Sequence, residues 1–308
     1  MFQFLSPPKP ANKRVKRENT IMAFTLTLNA TVSQLMASLI PASAGISYRN
    51  EKLEGDPRCA ALYKDVNTVL GAPWANFPDE GFVLGTGDAE KLYNQNGTQT
   101  STNFGTPGDS EILPTSNSSD ACVLSFDFKC DDRIGGDDAN LFISYAFASD
   151  EYKEQIDENN GFNDQFALLL NGNNTATVPN TDEYVSVYTI NHLTNTEYFV
   201  FNNPRPEQAA FPGFEPDGFT KGLNAVGPIL GGWNSMKIGI VDGGVMLDSY
   251  LDSWVFLQKG SFECKAVTQG PSVAPSISKH PSSAPTRPEF GIPQSCSTGN
   301  ACGGKRII

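Results

Sequence analysis

The chain has 308 residues, 39% of them hydrophobic, and a formal net charge of −12. That charge repels phosphate backbones and so argues against nucleic acid as a partner. No apolar run reaches the roughly 18–20 residues needed to cross a bilayer, so no membrane span is expected in this chain.

Residues 1–21 form a basic segment around Lys13-Arg14-Val15-Lys16-Arg17, read as disordered. Ile21 to Ile40 is moderately apolar, and Ala42-Ser43-Ala44 has the form of a signal-peptidase site. Thr25, Thr27, Asn29, Thr31, Ser33 and Gln34 make the stretch too polar for a signal core. Val32, Leu35, Met36, Leu39 and Ile40 instead recur at helical spacing, and Thr31 with Gln34 fits a capping box. The segment reads as a strand and a short helix at the start of a domain covering 22–266, with no export signal evident.

From Glu80 to Phe262 the pattern is strand, turn, strand. In Cys122–Cys130 the residues Cys122, Leu124, Phe126, Phe128 and Cys130 share one face, while Ser125, Asp127 and Lys129 share the other. An unbroken strand places Cys122 and Cys130 roughly 26 Å apart, whereas a disulfide needs Cα atoms within about 7 Å. The two cannot bridge each other, so their partners are Cys59, Cys264 or the tail cysteines Cys296 and Cys302.

Next come two apolar runs, Leu141–Phe147 and Phe166–Leu170, which read as a hairpin-like pair. Their connection is crowded with Asp150, Glu151, Glu154, Asp157, Glu158, Asn163 and Asp164. Further strands are expected at Tyr184–Asn191, Tyr198–Asn202, Met236–Val241 and Asp252–Leu257. Many short strands with polar, Gly-rich connections indicate an all-β fold, a jelly-roll-like β-sandwich with one short N-terminal helix and a disordered C-terminal tail. After Ala266 the composition changes to a PSxxPS-type linker, followed by a short segment with Cys296 and Cys302.

The six cysteines show no zinc spacing and the chain has only two histidines, His192 and His280. We read the cysteines as disulfides of an oxidising compartment, the alternative being buried thiols. Sequons at Asn29, Asn96, Asn117 and Asn173 point the same way.

Several motifs carry a resemblance: Gly81-Phe-Val-Leu-Gly-Thr-Gly-Asp88-Ala89, Leu124-Ser-Phe-Asp-Phe128, Tyr145-Ala-Phe-Ala-Ser-Asp-Glu-Tyr152, Phe162-Asn-Asp-Gln-Phe166, Asp217-Gly-Phe-Thr220, Ile240-Val-Asp242-Gly-Gly and Asp252-Ser-Trp-Val-Phe-Leu257. Their order and spacing over about 24–265 resemble the choice-of-anchor L domain, a family of bacterial surface and secreted proteins. The resemblance implies an extracellular β-sandwich module tethered by a variable C-terminal anchor, with no defined activity. No sorting signal or membrane anchor follows the domain here. The PSxxPS linker resembles those of diatom and related algal wall proteins and implies a cell-wall-associated member.

Three uses of the acidic loops are weighed. Calcium takes six to eight oxygen ligands, and Asp150, Glu151, Asn163, Asp164 and Asp242 are the candidate ligands, with Asp217, Asp248 and Asp252 on adjacent loops. The alternative is a solvated loop whose Asp and Asn residues make turns, the role assigned to Asp88. A glycan or another wall or matrix component is the second candidate partner, met by Tyr152, Asp217 and Phe219, with Phe214, Trp233 and Tyr250 as further loop aromatics. Hydrolysis by a carboxylate pair is the third and least favoured; neither histidine sits in a serine-hydrolase pattern. The expectation is a non-enzymatic extracellular binding or adhesion module, ordered by calcium, with a purely structural wall protein as the alternative.

Overall fold

The computed structural model describes residues 24–70, 76–93, 99–114, 118–131, 139–158, 161–203, 205, 208–243 and 251–266. All of them belong to the first of two units, Met1–Val267, the second being Thr268–Ile308. The basic segment, the linker, Cys296, Cys302, His280, Asp248, Tyr250, Asn96 and Asn117 lie outside the described residues.

The chain begins with strand β1 (Thr25–Leu28) and helix α1 (Val32–Leu39). Thr31 caps the helix: its hydroxyl accepts from the Gln34 N–H at 3.4 Å, and the Gln34 side chain accepts from the Thr31 N–H at 2.9 Å. The capping box expected from the sequence therefore closes, and Leu35, Met36 and Leu39 are fully buried. Strands β2 (Ile46–Glu54), β3 (Ala60–Lys64) and β4 (Gly81–Gly85) follow, with a short helix α2 (Asn67–Leu70) after β3. Next are β5 (Ser118–Cys130), β6 (Ala139–Ser149), helix α3 (Glu154–Glu158), β7 (Gln165–Leu170) and β8 (Asn173–Asn174). The remainder is β9 (Phe199–Phe201), β10 (Gly218–Thr220), β11 (Leu223–Pro228), β12 (Asn234–Gly243), β13 (Ser253–Gln258) and β14 (Glu263–Ala266).

Every pairing among these strands is antiparallel. One sheet runs β1-β3-β4-β13-β6-β10-β9, with β11 and β14 also on β6; the other runs β2-β5-β12-β7-β8. Strand β6 is the axis of the first sheet. One of its sides pairs β14 along Ala139–Phe142 and β13 along Tyr145–Ser149, and the other pairs β11 and then β10.

Two sequence expectations change. Leu141–Phe147 and Phe166–Leu170 are strands but not a hairpin: they fall in β6 and β7, which belong to opposite sheets. The acidic connection crosses from one sheet to the other, so its carboxylates sit at one end of the sandwich. Tyr184–Asn191 is not a strand. Beyond an isolated Thr177–Tyr184 bridge it forms turns, because Ser186 and Thr189 divert its backbone: the Ser186 N–H donates to the Thr189 hydroxyl at 2.9 Å. Val185 and Val187 are buried all the same.

The main core lies between the sheets, where Cys122, Leu124, Phe126 and Phe128 of β5 meet Leu141, Ile143, Tyr145 and Phe147 of β6. A second core covers the far side of the β6 sheet, built from Ala146, Ala148, Trp254 and Phe256 against Phe77, Phe211, Phe214 and Phe219. Both halves of the disulfide constraint hold. Cys122 pairs with Cys59 across a Cα–Cα distance of 6.0 Å, and Cys130 pairs with Cys264 across 6.2 Å. Strand β5 is thereby stapled at Cys130 to β14 of the opposite sheet and at Cys122 to the turn that leads into β3.

Candidate functional site

The end of the sandwich where β6 stops and β13 starts gathers eight buried acidic residues: Asp120, Asp150, Glu151, Asp164, Glu215, Asp217, Asp242 and Asp252. Asp120 and Glu215 are additions to the set read from the sequence. Burying a carboxylate is costly unless donors replace its water, and the structure supplies them from one extended segment, 99–107.

In an extended chain alternate N–H groups point the same way. Here the N–H groups of Thr100, Thr102, Phe104 and Thr106 all point at carboxylates. Thr100 donates its N–H (2.8 Å) and its hydroxyl (2.6 Å) to Asp150 Oδ2. Thr102 donates its N–H to Asp252 Oδ1 (2.9 Å) and its hydroxyl to Asp252 Oδ2 (2.8 Å). Phe104 and Thr106 donate their N–H groups to the two oxygens of Asp120, each at 2.8 Å. Asp120 belongs to β5, whereas Asp150 and Asp252 flank β6 and β13, so this strap laces one sheet to the other. Arg58 lies over the Phe104 ring at 4.7 Å, and Lys91 Nζ donates to the Ser101 carbonyl at 3.3 Å.

A second network lies beside the strap. Asp164 accepts from the Thr86 hydroxyl at 3.0 Å and the Gly243 N–H at 3.1 Å, and its own N–H donates to Glu151 Oε2 at 3.0 Å. The Glu151 N–H donates to the Ser149 hydroxyl, which also receives the Ser253 hydroxyl. The Gly-Thr-Gly-Asp motif has a use at each step. Thr86 meets Asp164, Asp88 caps the following turn through the Glu90 N–H at 3.0 Å, and Gly87 admits Asp252, whose carboxylate would lie 2.0 Å from a Cβ there. Asp88 is thus a turn residue, capping the short 3-10 turn Ala89–Leu92.

Burial dominates the electrostatics. It pushes Asp150 up to about 7, Asp164 to about 8 and Asp252 to about 6, against the donors that hold them; the Asp252 charge raises Asp150 and Asp164 further. Glu215 is pushed up to about 8 by burial and by the charges of Asp150 and Asp252. Burial thus favours the protonated forms of Asp164 and Glu215 at neutral pH.

Among the candidate metal ligands, Glu151 and Asp164 share one hydrogen-bonded network, while Asp150 is held by the strap beside it. Asn163 lies beside them, its N–H donating to the Gly243 carbonyl at 2.9 Å. Asp242 lies in β12 opposite Ser119, at a bulge in the register. Among the described residues, no three His, Cys, Asp or Glu side chains come together in an arrangement that could hold a metal ion.

The aromatic ligand candidates are placed differently from expectation. Tyr152 is fully buried between Phe147 and Phe199 and packs on Gly218, where a Cβ would meet its ring at 2.7 Å. Phe214 and Phe219 belong to the second core, Phe219 from β10 beside β6 and Phe214 from the chain leading into β10. Asp217 is buried there too, its N–H donating to Asp150 Oδ1 at 3.2 Å. Trp233 alone of the described aromatic candidates stays on the surface, 41% exposed. Asn29 and Asn173 are exposed.

No curated protein and no solved structure matches the chain. The family model of the choice-of-anchor L domain matches residues 25–263, within two residues at each end of the span that the motifs marked out. Within that span, the chain's Gly-Thr-Gly-Asp, Ser-Asp-Glu-Tyr and Asn-Asp-Gln-Phe segments supply Thr86, Glu151 and Asp164 to the second network. The chain belongs to the choice-of-anchor L domain family.

Proposed function

We propose that the protein is an extracellular binding or adhesion module of a cell wall or surface, in which the carboxylates lace the sandwich and the ligand is met elsewhere on its face. Family membership and two disulfides are consistent with an extracellular or surface location. The observation that carries the reading is the double stapling of β5, to β14 and to the turn before β3. Disulfides persist in oxidising compartments, and a module displayed outside the cell gains from a sandwich that cannot slide apart. The test is to mix the purified full-length chain with a cell-wall fraction of the organism that makes it. Co-sedimentation with the wall is expected, and protein left wholly in the supernatant would overturn the binding role.

Calcium is a second reading, favoured by one observation. Asn163 Oδ1, next to Asp164, is buried and accepts no hydrogen bond. A hard cation would satisfy that oxygen and take the place of the proton that burial favours on the adjoining Asp164.

A further inference from the structure

On the outer face of the second sheet, Arg49, Asp127 and Ser235 lie side by side in register across β2, β5 and β12. Their neighbours Phe128 and Asn234 are buried, so these three take the opposite, solvent side of the pleat. Trp233, two residues before Ser235, joins them: the Arg49 guanidinium sits over its ring at 4.0 Å. Arg49 Nε in turn donates to Asp127 Oδ2 at 3.3 Å, and Asn50 Nδ2 donates to the same oxygen at 2.7 Å.

This Trp is held on a fixed turn. Asn234, 2% exposed, receives the Leu230 N–H at 2.8 Å on its side-chain oxygen and donates to the Leu230 and Gly232 carbonyls at 3.1 and 3.2 Å. Asn171 adds a further donor to the Asn234 oxygen at 2.8 Å. The ring is 41% exposed, so part of it stays open to solvent beside the Arg49 guanidinium. Beside it a shallow groove of about 190 Å³ is lined by Asn50, Asp127, Ser235, Gly172 and Lys237 among others.

We propose that Trp233, Arg49, Asp127 and Asn50 form a saccharide-binding surface; the inference rests on the reading of the protein as a binding module and names its ligand class. A sugar ring offers an apolar C–H face and a rim of hydroxyls that both donate and accept. The indole supplies the apolar platform on the part of its surface that Arg49 leaves open. Arg49 donates, Asp127 accepts, and the Asn50 amide does both. The Arg49 and Asp127 charges offset each other, which suits a neutral polyhydroxyl partner over an ionic one. Arg49 is fixed on the ring by cation–π attraction and by Asp127, so little side-chain freedom is lost on binding.

The test is affinity electrophoresis of the full-length chain in gels containing a soluble β-glucan, an α-mannan or alginate, with tryptophan fluorescence as a second readout. Retardation by at least one neutral polysaccharide is expected. Trp233→Ala should weaken it by about tenfold or more, as loss of a central aromatic anchor does, and Asp127→Asn by less. Trp233→Phe should retain most of the binding, which separates loss of the platform from misfolding, and the melting temperature of each variant checks the fold. Retardation unchanged in Trp233→Ala would overturn this face while leaving the binding module intact. No retardation in any gel, with co-sedimentation on the wall preserved, would overturn saccharide as the ligand class.

Discussion

Thr100 and Asp150 are joined twice, the Thr100 N–H and hydroxyl both ending on Asp150 Oδ2 at 2.8 and 2.6 Å. The pair fixes the first step of a strap whose next donors meet Asp252 and then Asp120. Asp150, Asp252 and Asp120 thus each accept backbone N–H groups of the protein's own strap. The strap reaches across both sheets, so it closes one end of the sandwich much as the disulfides clamp β5.

Truncating the strap should therefore cost more than a surface substitution. Thr100→Val removes one buried donor and should lower stability by about 1–3 kcal/mol, measured by denaturant unfolding. Asp150→Ala should cost more, since it strands the Thr100 N–H, the Thr100 hydroxyl and the Asp217 N–H together. Thr27→Val, at an exposed position of β1, is the control. Equal stability of Thr100→Val and Thr27→Val would show that the strap does not hold the fold.

The two disulfides close separations of 63 and 134 residues. Loop-closure entropy alone puts each at about 4–5 kcal/mol. Cys59→Ser with Cys122→Ser should lower the melting temperature strongly, and a reducing agent should lower that of the parent to a similar or greater degree. A melt insensitive to reduction would mean that the two cores hold the sandwich without the staples.

Much of this fold was legible because its signals are local. The alternation of Cys122 to Cys130 gave both the strand and the rule that its cysteines pair elsewhere, and Thr31 with Gln34 gave the helix start. Local signals do not say which sheet a strand enters. Leu141–Phe147 and Phe166–Leu170 therefore read as a hairpin, although the chain between them crosses the sandwich. Strand β2, Ile-Ser-Tyr-Arg-Asn-Glu-Lys-Leu-Glu, went unread because an edge strand carries charges where an interior one carries apolar residues. The acidic residues could be listed from the sequence but their donors could not, since Thr100 and Thr102 lie 50 and 150 residues from the carboxylates they meet. The alternate hydroxyls of Thr100, Thr102 and Thr106 were the one readable trace of the strap.

The buried carboxylates give the protein a defined response to pH. Asp150, Asp164, Asp252 and Glu215 all have folded values raised above the ordinary carboxylate range. Groups facing one another here include Asp217, Glu151 and the Lys91 cation, and Lys91 lowers Asp252 and Glu215 only in part. A raised carboxylate favours the protonated fold, so its contribution is complete below about pH 4 and is lost as pH rises through about 6 to 8. Asp56, Asp109 and Asp157 are lowered and act in the opposite sense, losing their contribution as the medium becomes acid. Melts in EDTA should therefore show a higher melting temperature near pH 5 than at pH 8.5. Asp164→Asn, which cannot ionise, should flatten that slope. A melting temperature that rises from pH 5 to 8.5 would contradict a protonated cluster.

Calcium should act on the same charges from the alkaline side. At pH 8.5 the carboxylates are closer to ionised, so a cation bound near Asn163 and Asp164 has most to neutralise and stabilises the fold by its binding free energy. The expected result is a calcium-dependent rise in melting temperature at pH 8.5 that shrinks near pH 5, where protons already occupy the cluster. Asp164→Ala should lower the melting temperature in calcium and remove most of the difference between calcium and EDTA. Asn163→Ala should weaken the calcium effect with little change in EDTA, because its side-chain oxygen accepts no internal hydrogen bond. Superimposable melts in calcium and EDTA at pH 8.5 would remove the metal and leave the strap donors and protons as what sustains the acidic end.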